Sequence, residues 1–187
     1  MPTRKHGTPH EICQIKITLL GAKPPIWRRV LVPSDMTLER LHDVVQLAMG
    51  WENRHLHEFQ IGGKRLDNER AVLMLNVLGQ AGAKALYTYD FGDGWEHSIV
   101  VEKVLPPEPG LAYPLCLDGK GHGPPEDCGG IPGFYNLLVA IGDPEHSEHE
   151  EMREWIGDSF DPDAFSVEDV NRLLAPLQRR SAKAKGV

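Results

Sequence analysis

Tyr89-Asp90-Phe91-Gly92-Asp93-Gly94-Trp95-Glu96-His97 is the stretch from which the fold is read. Asp and Gly supply the positive backbone angles that a tight β-hairpin loop needs, and aromatic residues on both arms supply cross-strand pairs. Alternation on either side extends the arms to residues 85–91 and 95–104. A turn centred on Asp93 would set Phe91 opposite Trp95, Tyr89 opposite His97 and Tyr87 opposite Ile99. The hairpin then carries Asp90 and Asp93 on its rim and turns His97 inward with the apolar set.

Upstream, Cys13, Ile15, Ile17 and Leu19 alternate with polar residues, which is the pattern of a strand with one wet face. Gly21 to Pro25 turns the chain into a second strand at 26–32, closed by Pro33. Thr37 can cap a helix over 38–49, in which Leu38, Leu41, Val44, Val45 and Ala48 recur at spacings of three and four, and Gly50 ends it. In the strand that follows, His57, Phe59 and Ile61 share the core side, and Gly62-Gly63 marks a turn. Residues 71–78 read as a short helical turn.

Downstream, residues 106–132 are rich in Pro and Gly and read as a long ordered loop, a feature that in compact domains is often functional. Phe134, Leu137, Leu138 and Ile141 then give an amphipathic helix. Ser147 with Glu150 makes a capping box for a helix reaching Trp155, and Ser166 with Asp169 makes another for a helix ending near Leu174. This order of elements does not fit alternating βαβ units. It predicts an α+β fold: a mixed, mainly antiparallel sheet with one packed helix, an α/β roll or β-grasp-like arrangement, followed by a C-terminal helical segment. The domain spans 11–176, with the loop at 106–132 and the helical part at 133–176, between a flexible N-terminal tail at 1–10 and a flexible basic tail at 177–187.

With 187 residues and 41% hydrophobic content the chain can bury one substantial core. Lys and Arg number 20 against 27 Asp and Glu, and the net charge of -7 argues against affinity resting on broad phosphate neutralisation. The acidity is concentrated between Asp143 and Asp169, where Arg153 is the only Lys or Arg. No apolar secretory run and no stretch near the roughly 20 apolar residues of a membrane span are present, so a cytoplasmic location without membrane association is expected. Three cysteines, Cys13, Cys116 and Cys128, are an odd number and argue against a disulfide framework in that setting. No phosphate-binding loop, dinucleotide glycine signature or nucleophile elbow occurs.

Three sets of residues carry chemistry. His57, Asp90, Asp93 and His97, with Glu126 and Asp127 of the Pro-Glu-Asp run, suit a divalent metal or general acid and base work. The competing reading is that the histidines satisfy core partners while the aspartates organise the turn. His55 reads as exposed. Cys116, His122 and Cys128, with His57 and His97, are the candidate metal ligands, zinc being the ion they suit, although eleven residues separate the two downstream cysteines. Trp27, Arg28 and Arg29 offer a nucleic-acid contact by charge and stacking, against a reading as ordinary ion-pair and packing residues.

The motifs Pro24-Pro25-Ile26-Trp27-Arg28, Met49-Gly50-Trp51, His55-Leu56-His57-Glu58-Phe59, the opening stretch and Pro124-Pro125-Glu126-Asp127-Cys128-Gly129-Gly130 together resemble the plasmid pRiA4b ORF-3-like family over roughly residues 11–176. The resemblance implies a compact α+β domain found in bacteria, archaea and mobile elements, some members being labelled transposon-associated and resolvase-like. It brings no reaction with it. Many relatives have a cysteine where this chain has Gly123. The expectation is a binding or accessory module with a macromolecular partner, protein or nucleic acid of mobile elements. The alternatives are a metal-dependent phosphoesterase or nuclease built on the His and Asp residues, and nonspecific nucleic-acid binding; without a complete catalytic set, the enzyme stands second.

Overall fold

The computed structural model describes residues 11–180. Alternation in the first strand, β1 (Ile12–Leu19), buries Cys13, Ile15, Ile17 and Leu19 to within 1% of complete burial. Each such aliphatic side chain contributes about 1.5–3 kcal/mol by leaving water. β1 lies at the inside of a seven-stranded sheet between β2 (Trp27–Pro33) and β6 (Trp95–Leu105). The remaining strands are β3 (His57–Ile61), β4 (Lys64–Arg65), β5 (Lys84–Tyr89) and β8 (Leu115–Lys120), in the order β4-β3-β5-β6-β1-β2-β8. Every pairing is antiparallel. The α+β architecture is therefore the one expected. A second, two-stranded sheet joins β7 (Ala112–Tyr113) to β9 (Arg179–Arg180).

Helix α1 (Leu38–Met49) forms where the apolar spacing places it. The Thr37 side chain accepts from Arg40 N, and Gly50, at φ 83°, closes the C-terminus by donating to the Gln46 and Leu47 carbonyls. Its face of Leu38, Leu41, Val44, Val45 and Ala48 joins one core with β1, β2, β5 and β6, with α3 (Gly130–Gly142) and with α5 (Val167–Leu174). The short turn at 71–78 contains α2 (Met74–Val77), and α4 (His149–Ile156) packs against α3. Among the described residues no helix is long and apolar enough to cross a membrane.

The hairpin register differs from the reading above by two residues. Tyr89 pairs with Trp95, Tyr87 with His97 and Ala85 with Ile99, so the loop comprises residues 90–94. The cause is Asp90. It takes a left-handed conformation at φ 55°, its Oδ1 accepts from Gly92 N at 3.0 Å, and its carbonyl accepts from Gly94 N at 2.6 Å. A shift of two keeps every side chain on its face, so Tyr87, Tyr89, Trp95 and His97 are all buried, while Phe91 leaves the ladder and is half exposed.

Three other expectations are corrected. The segment 106–132 is not one loop: it contains β7 and β8, and β8 completes the sheet against β2 with Cys116 opposite Val30. Gly119 belongs to that strand because the Phe165 ring occupies the place of a side chain, only 2.5 Å from where a Cβ would stand. Ser147 does not cap α4, whose N-cap is Glu148, because the preceding turn is held by His146 and His149, the latter through Nδ1 to the Ala140 carbonyl. Order also continues past 176, through a 3-10 turn at Ala175–Leu177 into β9. The expected tails at 1–10 and 181–187 lie outside the described residues.

Helix α5 begins at Ser166, whose hydroxyl accepts from Asp169 N. From it, the Asn171 amide reaches the outer side of β8, accepting from Cys116 N at 2.7 Å and donating to Cys116 O at 2.9 Å. Asn171 thus takes the place of a neighbouring strand.

Candidate functional site

The hairpin rim gathers three chain segments, and the Tyr89 hydroxyl holds them together. The ring is fully buried, stacked on Trp51 with centroids 5.0 Å apart. Its hydroxyl accepts from Arg54 N at 2.9 Å and His55 N at 3.3 Å and donates to Glu126 Oε1 at 2.9 Å. Burial, with the Glu126 carboxylate beside it, pushes its pKa up to about 12, so it stays a neutral donor. Glu126 Oε1 also accepts from Glu52 N, and Trp51 Nε1 donates to the Pro124 carbonyl. The Pro-Glu-Asp run is therefore docked onto the residues that lead into β3.

The same run is docked onto the hairpin loop. Asp93 Oδ2 accepts from Gly129 N at 3.0 Å. Gly130 approaches so closely that a Cβ on it would stand 2.3 Å from the Asp93 carbonyl oxygen. Asp90 N donates to Leu56 O at 2.9 Å, which fixes the loop beside His55. The outcome is a convergence of His55, Asp90 and Asp127, each offering one ligand atom, all within 4.8 Å of one another. His55 Nε2 lies 2.8 Å from Asp127 Oδ1 and 3.6 Å from Asp90 Oδ2. The shorter approach lacks hydrogen-bond alignment, and Nε2 is buried with no hydrogen-bond partner. Glu126 Oε2 is likewise buried without a hydrogen bond, with Arg54 Nε 3.7 Å away. Carboxylates of Asp90, Asp93, Glu126 and Asp127 thus outnumber the nearby cation Arg54, which is itself paired with Glu52. Such a rim attracts a cation.

His57 and His97 do not meet in a common pocket. β5 lies between their strands, and the Tyr87 ring stands between them, 5.9 Å from one imidazole and 5.6 Å from the other. His57 stacks on His42 at 3.5 Å and contacts Glu69 Oε2 at 2.8 Å through Nε2. His42 in turn bonds the Tyr87 hydroxyl and Asn53 Oδ1. His97 is fully buried, bonded through Nδ1 to the Trp95 carbonyl, and burial pushes its pKa down to about 3, so it is neutral. Asp90, Asp93, Glu126 and Asp127 do come to one place, and the imidazole that joins them is His55. Nothing in the local sequence pattern marks His55, because its position is set by the hydroxyl of Tyr89 and by a partner segment far along the chain.

Among the described residues Cys116, His122 and Cys128 form no ligand trio. Cys116 is buried on β8, His122 bonds the Gly123 carbonyl and packs on Phe160, and Cys128 faces the groove between α3 and α4. Burial raises both thiols, Cys128 to about 12 with Asp93 adding to it, which disfavours the thiolate that metals bind. Nor do Trp27, Arg28 and Arg29 share a cationic face. Trp27 lies under Lys16 and Arg29, and Arg29 grips Glu102 through Nε at 2.7 Å and Nη2 at 3.0 Å, holding that carboxyl down to about 2. Arg28 is turned inward and only 3% exposed.

The family model described as plasmid pRiA4b ORF-3-like protein matches residues 11–169. A protein of Sinorhizobium fredii described as uncharacterized protein y4hQ is 40% identical over 185 residues, covering 92% of this chain and 95% of that protein. The crystal structure of MM3350 from Methanosarcina mazei Go1, described as a protein of unknown function, is similar with a TM-score of 0.81 and 37% identity, covering 87% of this chain and 98% of that one.

Proposed function

We propose that this chain, which belongs to the plasmid pRiA4b ORF-3-like family, is a binding module whose hairpin rim takes up a divalent cation at His55, Asp90 and Asp127 and presents it to a partner. The observation that carries the reading is the convergence of those three ligand atoms from separate segments, with His55 Nε2 buried and without a hydrogen bond. Imidazole with carboxylates suits zinc, manganese, iron or nickel better than calcium. Ligands about 2.0–2.2 Å from a zinc ion stand roughly 3.3–3.6 Å apart in a tetrahedron. The 3.6 Å between His55 and Asp90 meets that spacing, and the 2.8 Å to Asp127 needs only a small opening of an exposed side chain. Three protein ligands leave a coordination position open. Leu56, 73% exposed, and Phe91, 50% exposed, flank the cluster and give a partner apolar surface to cover. The partner we favour is a plasmid- or transposon-encoded protein rather than nucleic acid, since carboxylates crowd the rim.

Chelator-stripped protein titrated calorimetrically with Zn²⁺ and Mn²⁺ should bind about one equivalent of at least one of them. His55→Ala, at a half-buried position, and Asp127→Asn, at an exposed one, should each weaken it at least about tenfold without changing the melting temperature. Absence of saturable binding, or binding indifferent to both changes, overturns the reading.

A second reading, hydrolysis of a phosphate ester at the loaded rim, is favoured by the buried Glu126 Oε2 with no hydrogen bond, which could accept a proton from metal-bound water. Metal-dependent cleavage of bis(p-nitrophenyl) phosphate that Glu126→Gln abolishes, with metal uptake intact, is its signature.

A further inference from the structure

Arg28 is a buried cation without an anion. Its Nε donates to Ala48 O at 2.8 Å, and Nη1 donates to Trp27 O at 2.8 Å and Lys120 O at 3.0 Å. The Phe165 ring covers its face at 4.7 Å. All these partners are neutral, and among the described residues no carboxylate pairs with it. A guanidinium taken out of water in this way is costly unless something negative compensates it. Burial accordingly pushes its pKa down to about 10, still leaving it charged. Nη2 is the one guanidinium nitrogen with no hydrogen bond among the described residues.

Arg28 lines a cleft of about 360 Å³ between the end of α1 and the start of α5. That is within the roughly 300–1,000 Å³ of small-molecule sites. Its walls are mostly apolar, from Leu47 and Met49 on one side and Phe165, Val170 and Leu173 on the other, with His122 and Ser166 as further polar residues on its lining. The approach of its floor is fixed by Gly123, where a Cβ would stand 2.0 Å from the Met49 carbonyl oxygen. Asp169, the carboxylate that also borders it, is turned out to Arg172 at 2.8 Å and is 63% exposed. So the cleft combines one guanidinium that has a nitrogen free of protein partners with a largely hydrocarbon lining.

We propose that this cleft binds a small carboxylic acid with an apolar body, its carboxylate accepting from Arg28 Nη2 and its hydrocarbon part lying on Leu47, Met49, Val170 and Leu173. A single free guanidinium nitrogen under a hydrocarbon lining matches a monoanion with an apolar body better than it matches a compact, multiply charged phosphate. The site is separate from the hairpin rim and does not depend on its reading.

The test is calorimetric titration with sodium octanoate, 1-octanol and inorganic phosphate, with chelator present so that the rim plays no part. Octanoate should bind at least about tenfold more tightly than octanol, the discrimination expected of a charge-assisted bond, and phosphate should neither bind nor compete. Leu173→Glu, at a position 47% exposed, should abolish octanoate binding while leaving the melting temperature unchanged. Arg28→Met should bind both chain compounds alike if it folds; should it unfold, the octanol comparison and the Leu173 variant still decide. Equal binding of octanoate and octanol, no octanoate binding, competition by phosphate, or affinity unmoved in Leu173→Glu overturns the proposal.

Discussion

His97 shows how one side chain can be legible in type and misread in role. The alternation of β6 places it inward, and it is inward, but fully enclosed by Trp51 and Tyr87 it has no route to a ligand. What it does carry is a pH dependence. The folded ring titrates at about 3 against an ordinary 6.5, so its contribution to stability is complete above pH 6.5 and is lost as the pH falls from 6.5 toward 3, because the unfolded chain takes up a proton that the fold refuses. One such proton is worth at most about 1.4 kcal/mol per pH unit. His42, lowered by burial and by His57 beside it, acts in the same direction. Urea unfolding at pH 7 and pH 5 should therefore show His97→Gln losing less stability across that interval than the unchanged protein, and parallel losses would assign the effect elsewhere. Asp90, Asp93, Glu126 and Asp127 were visible in the sequence as turn-forming acids. His55 was not, since only the tertiary position of the Tyr89 hydroxyl gives it meaning.

Elements defined by local chemistry were readable: α1 with its Thr37 cap and Gly50 stop, and β1 with its alternation. Those defined by distant contacts were not. β8 is too short and too rich in turn residues to announce itself, and exists because β2 has a free edge and Phe165 fills the space above Gly119. The hairpin loop is two residues longer than a turn centred on Asp93 predicts, because the Asp90 side chain starts the turn. Docking of the Pro-Glu-Asp segment on that loop rests on Gly130, at φ 67° and in contact with the Asp93 carbonyl. Gly130→Ala should then destabilise the protein by about 1–3 kcal/mol and weaken metal uptake at the rim, read together from urea melts and calorimetry. Loss of stability with unchanged uptake would show that the two motifs are positioned independently.

For the molecule as a whole, the α+β class followed from the order of elements, while the arrangement that puts β8 and α5 together needed the structure. Both margins of the large sheet are guarded against further strands. At one, β4 is two exposed basic residues long, and at the other the Asn171 amide occupies the Cys116 backbone groups. Asn171→Ala should leave that backbone bare and produce concentration-dependent association detectable by light scattering; a variant that stays monodisperse would mean that α5 shields β8 by bulk alone. Among the described residues the large sheet thus offers short and partly occupied edges for recruiting an extended peptide by main-chain templating, as many adaptor domains do. Recognition at those margins therefore falls to side chains, and selection on such contacts acts residue by residue rather than on backbone shape.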